Sequence, residues 1–151
     1  MAERKADARN KIALGGLLKL SDLWDETDQV VLSAMRAVRQ LLDGPDGKDI
    51  RTRFLAKGRA EFNRIEEEKK ARETQQAAPE EVRRERNHVL ISRGALVIKA
   101  GLNDEEERVI LGGMLSAATR LKKEDGESKR AEWQAAGDAE MPSRREKGRA
   151  A

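Results

Sequence analysis

The chain has 151 residues, 31 Lys plus Arg against 28 Asp plus Glu, a formal net charge of +3 and no cysteine. That length suits one domain with extensions, and the mild basicity permits a nucleic-acid or acidic partner without requiring one. The lack of cysteine excludes disulfides, zinc–thiolate sites and cysteine nucleophiles, and it fits a reducing compartment.

No apolar run nears the roughly 18 residues of a membrane span. The start, MAERKADARNK, is charged and has no apolar signal core. A cytoplasmic bacterial protein is expected. Residues 1–11 extend a first helix, from which Arg4, Lys5, Arg9 and Lys11 project.

A first helical hairpin follows, to Asp43. Its segment Ile12–Met35 matches Ile91–Met114 at a constant offset of 79 residues without a gap. Identical pairs include Ile12/Ile91, Gly15/Gly94, Leu17/Leu96, Leu23/Leu102, Asp25/Asp104, Glu26/Glu105, Val30/Val109 and Met35/Met114. Each copy reads as helix, tight turn of roughly three residues, helix. The break falls at Ser21–Trp24 and at Ala100–Asn103, where Gly101 suits a left-handed helix end. The second helices are expected to open at Asp25 and Asp104, whose carboxylates can accept from free N–H groups.

Small pairs recur at matched places, Gly15-Gly16 with Gly94-Ala95 and Ser33-Ala34 with Gly112-Gly113. Glycine inside a helix costs about 1 kcal/mol against alanine, so close backbone approach is expected there. Apolar residues such as Val31, Ala34, Met35, Val38 and Leu42 follow helical spacing, as do Ile110, Gly113, Met114, Ala117 and Leu121. These faces are too wide for one isolated hairpin. Two hairpins packed as a four-helix core would cover them, and a homodimer would do so too.

Gly44-Pro45-Asp46-Gly47 stops the first hairpin. It lacks the spacing and final hydroxyl of a phosphate loop. A connecting helix over 49–76 carries an apolar stripe, Ile50, Phe54, Gly58, Phe62 and Ile65, then runs on as the charged EEEKKARETQQ. Pro79 suits the first turn of a new helix, which Arg83, Arg84 and Arg86 lead into the second hairpin. After Leu121 the apolar pattern ends. Residues 122–151 are expected to be disordered, with a transient helix over 127–136 around Trp133 and a basic end, SRREKGRA. The expected organisation is therefore all-α. Hairpin 1–43, turn and connector 44–78, hairpin 79–121 and tail 122–151 follow one another, the two hairpins related by approximate two-fold symmetry.

No residue set points to catalysis, a cofactor or a metal. His88 is the single histidine and has no ligand set around it. The acids at 25–26 and 104–107 read as helix starts rather than paired catalytic carboxylates. The seven bases Arg4, Lys5, Arg9, Lys11, Arg83, Arg84 and Arg86 form two leads. They read either as a solvated helix face or as a phosphate-contacting surface used twice. No aromatic residue interleaves with them, which argues against single-strand stacking.

The second copy, RRERNHVLISRGALVIKAGLNDEEERVILGGMLSAA, resembles the small conjugal transfer proteins of the TraD type. An Arg-rich lead is followed by Gly94–Leu102, an acidic turn and Leu111–Leu115. Leu14-Gly15-Gly16-Leu17 in the first copy matches the opening of that motif, whereas Ser21-Asp22 stands where the family has Ala-Gly. The resemblance implies a non-enzymatic accessory of plasmid mobilisation, acting on DNA near the transfer origin or on its relaxase. The alternative is a helical protein–protein adaptor that does not bind nucleic acid.

Overall fold

A computed structural model describes residues 2–72 and 80–141. Their elements are six helices: α1 (Ala2–Leu20), α2 (Asp28–Asp43), α3 (Gly47–Arg72), α4 (Glu80–Lys99), α5 (Glu107–Leu121) and α6 (Gly126–Glu140). The fold is all-α, as the 3.6-residue periodicity implies.

Helix α4 ends as its glycine predicts. Gly101 takes φ 79°, its N–H donates to the Ile98 carbonyl at 2.9 Å and the Leu102 N–H to that of Val97 at 3.3 Å. These two bonds satisfy carbonyls that would otherwise be orphaned at the helix end. At the same place in the first half, Asp22 takes φ 61°, and Ser21 donates from both its N–H and its Oγ to the Leu18 carbonyl. The two halves thus make the same turn with different residues.

The second helices start later than the sequence suggests. Asp25 and Asp104 do not cap them; Thr27 caps α2, its Oγ1 accepting from the Val30 N–H at 3.3 Å, and α5 starts after Glu106. An additional turn intervenes, closed by Glu26 N–H to Leu23 O and Glu105 N–H to Leu102 O. The reason is burial: Leu23 and Leu102 are fully inside the core. Turning them inward before the helix begins gains about 1.5–3 kcal/mol each. The connections therefore run over residues 21–27 and 100–106 rather than about three residues.

The halves interlock. The most extensive packing joins α1 to α4, α3 to α5 and α2 to α6. Each half thus lends its third helix to the second helix of the other half. A Cβ added to Gly15 would collide with the backbone of Leu90, and one added to Gly94 with the backbone of Lys11. The two contacts run α1 and α4 antiparallel at backbone-touching distance, as the small pairs imply. Gly112 similarly admits the backbone of Phe54. Ser33 occupies the corresponding place 79 residues earlier and donates its Oγ–H to the Trp133 carbonyl at 2.6 Å.

Two further expectations are corrected. The core is not made by four helices alone, because α3 and α6 contribute buried Phe54 and Trp133. The segment after Leu121 is not wholly a disordered tail: residues 126–140 form α6, and Trp133 is only 6% exposed. Composition concealed this helix because its apolar stripe is nearly reduced to one tryptophan, while Gly137 allows close approach to the Gln29 backbone. Residues 142–151, with the basic end SRREKGRA, and the Ala77–Pro79 break lie outside the described residues. Among the described residues no helix is long and apolar enough to cross a membrane.

Candidate nucleic-acid interface

The seven bases singled out in the sequence lie on α1 and α4, but not as one patch. Because these helices cross antiparallel, their basic N-termini point to opposite ends of the pair. Arg4 lies seven residues before Lys11, which faces Gly94, and Arg83 lies eleven before Gly94 on the other side. Eighteen residues at 1.5 Å each place Arg4 and Arg83, the outer members of the two leads, about 27 Å apart along the pair.

The bases also differ in how they are held. Arg4, Lys5, Arg9, Arg83 and Arg86 are exposed, and no ion pair occupies them among the described residues. Lys11 is half-buried and bonded to Asp7 at 2.7 Å, and its backbone forms part of the α1–α4 crossing. Arg84 pairs with Glu80 at 2.6 Å, one turn before it. Such an exposed pair is worth at most about 0.5 kcal/mol, so Arg84 can exchange it for phosphate at little cost. Arg86 turns to a cleft that it shares with Lys19 and Lys69. His88 is exposed, and among the described residues no cluster of acids and histidine could hold a metal ion.

Elsewhere two matched ion pairs tie the halves together. Arg51 of α3 grips Glu105 with Nε–H to Oε2 at 2.9 Å and Nη2–H to Oε1 at 2.5 Å. Arg130 of α6 grips Glu26 with Nε–H to Oε2 at 2.8 Å and Nη2–H to Oε1 at 2.6 Å. Both partners sit 79 residues from their counterparts. Hydrogen bonding from Arg51, aided by its charge and that of Arg39, holds the Glu105 carboxyl below its usual pKa although burial opposes this. Arg51 and Arg130 are shifted upward by the same bonds. Sequence reading took Glu26 and Glu105 for helix-start acids. The signal that would have found the pairs was the same offset carried further, since Arg51/Arg130, Gly58/Gly137 and Gly47/Gly126 all obey it.

Trp24 is half-buried against the core. The Arg93 guanidinium lies 5.7 Å and the Lys19 ammonium 5.9 Å from its ring centroid. Arg93 also donates to the Glu26 carbonyl at 2.8 Å and pairs with Asp28 at 3.2 Å. Trp24 therefore fixes the end of the first hairpin to α4 and helps to orient two cations. A second feature is an apolar groove of about 440 Å³ between α2 and α5, walled by Phe54 and Trp133, with Leu41 half exposed among its lining residues.

No curated protein and no solved structure matches the chain. Residues 80–141, which comprise α4, α5 and α6, match the model of the family described as conjugal transfer protein TraD. It is through this half that the protein is similar to the TraD-type conjugal transfer proteins.

Proposed function

We propose that this protein is a non-enzymatic accessory of conjugal plasmid transfer that holds DNA near the transfer origin, alone or together with the relaxase. In this reading residues 2–62 are a second copy of the family unit, so that one chain carries two basic leads. The observation that carries it is the placement of Arg4, Lys5 and Arg9 at one end of the α1–α4 pair and of Arg83 and Arg84 at the other. Arg4 and Arg83, the outermost of them, lie about 27 Å apart along the pair, and the reach of their side chains brings this toward the 34–36 Å of one DNA turn. Two such ends can contact backbone phosphates on one face of a duplex, a mode that positions a protein without reading bases.

The test is fluorescence anisotropy with duplex DNA from the transfer origin at several salt concentrations. Binding is expected to weaken with salt, at a log–log slope of about 0.9 per phosphate contact. Arg4→Glu combined with Arg83→Glu should lower that slope by about 2. Absence of binding at physiological salt, or an unchanged slope in the double variant, favours the adaptor reading and ends this one.

A further inference from the structure

We infer that the cleft between the end of α3 and the α1–α4 pair receives an apolar side chain from an acidic segment of a protein partner. This goes beyond the DNA reading and does not depend on it. The cleft has a volume of about 430 Å³, within the usual range of ligand pockets.

Among the described residues, the two matched helix ends are held differently. Helix α6 ends at Glu140, whose counterpart 79 residues earlier is Glu61, whereas α3 runs on to Arg72, eleven residues further. At the α6 end, Lys99 Nζ donates to the Glu140 carbonyl at 3.3 Å and Arg36 pairs with the Glu140 carboxylate at 2.7 Å, which ties the helix end down. At the α3 end, Phe62 and Ile65 line the cleft together with Leu90, and both stay half-buried.

Gly16 completes the floor, and it is unlike its neighbour. Gly15 is required by the crossing, but a Cβ on Gly16 would meet nothing within 4 Å. Packing therefore does not require glycine there. Its missing side chain leaves the cleft open, where the matched residue is Ala95. The cations lining the cleft are Lys19, Lys69 and Arg86, against the single acid Glu66. Lys69 and Arg86 have no ion pair among the described residues, and Lys19 lies over Trp24.

Exposed apolar surface with surplus positive charge fits a segment that offers an apolar side chain between carboxylates. A phosphate backbone would neutralise the cations but leave the apolar floor in water. An acidic peptide satisfies both.

The experiment titrates the full chain into a short fluorescein-labelled peptide of glutamates with leucines at i, i+4 spacing, at physiological salt. The parent protein is expected to bind it, and the same peptide with lysines for glutamates is not. Gly16→Leu should fill the cleft, melt at or above the parent temperature and weaken binding about tenfold or more, as loss of a central anchor does. Lys69→Glu gives an independent check through charge alone and should also weaken binding. The inference is overturned if the parent does not bind, if both variants bind like the parent, or if a single-stranded oligonucleotide displaces the peptide and loses its own binding in Gly16→Leu. Duplex binding through Arg4 and Arg83 is read separately, so failure of the cleft and failure of the DNA reading are distinguishable.

Discussion

Residues 2–62 and 81–141 run in parallel at the 79-residue offset, and they agree and differ in a physically ordered way. Agreement falls where backbone meets backbone or charge meets charge across the halves: Gly15 with Gly94, Gly58 with Gly137, Glu26 with Glu105, Arg51 with Arg130. Differences fall where solvent tolerates them, or where one contact replaces another. Trp24 sits against Arg93 and Lys19, while the counterparts of these three are Asn103, buried Leu14 and Ile98. On one side the three form a cation–π cluster, and on the other two of the three positions are aliphatic and belong to or pack on the core. The largest difference is α3 itself, which continues past the point where α6 stops. What holds the halves together is thus duplicated, and what one half presents to solvent is not.

The comparison breaks most severely at the α1–α4 crossing. Gly94→Leu would drive a side chain into the Lys11 backbone, which cannot move aside as a side-chain end can. The expected loss, read by urea denaturation, is about 3 kcal/mol or more, the upper end of overpacking costs. Gly15→Leu should behave alike. Gly16→Ala, one residue away, should instead gain about 0.4–1 kcal/mol through helix propensity and a less flexible unfolded chain. Equal effects at positions 15 and 16 would refute the crossing geometry.

The matched ion pairs give a smaller effect and a graded one. Glu105 is 11% exposed and is bonded by both Arg51 and Arg39, whereas Glu26, 17% exposed, has Arg130 and the counterpart of Arg39 is Ala118. Loss of a charge-assisted bidentate pair with half-exposed arginines should cost about 1–2 kcal/mol. Glu105→Gln is expected to cost more than Glu26→Gln. The pH dependence has a definite sign. The folded pKa of Glu105 is lowered, so its contribution is complete above the unfolded carboxylate pKa and fades as pH falls through the folded value. The melting-temperature gap between parent and Glu105→Gln should therefore be widest at neutral pH and close in acid. A gap that is constant with pH would mean that the carboxylate charge is not what matters.

The finest test compares the left-handed turn residues. Gly101→Ala should cost about 1 kcal/mol, because a Cβ is disfavoured at positive φ. Asp22→Gly should change stability by less than about 0.5 kcal/mol, since aspartate tolerates that region better than most residues. Its exposed pair with Lys122, at 2.7 Å, adds little.

Helices α1 to α5, the breaks between them and the close-packed small residues were legible in the sequence, because periodicity, Gly101, Gly44–Gly47 and the glycine pairs act over a few neighbouring residues. The resemblance to a conjugal transfer family was legible for the same reason, from Gly94 to Leu115. Tertiary structure alone decided which half each third helix packs on. It turned Glu26 and Glu105 from helix-start acids into inter-half anchors, buried Trp133 in a segment that composition reads as tail, and sent the two basic leads to opposite ends of one helix pair. Each of these depends on contacts between residues far apart in the chain. A bidentate arginine or a single buried tryptophan leaves no periodic trace around itself, so local patterning has nothing from which to read it.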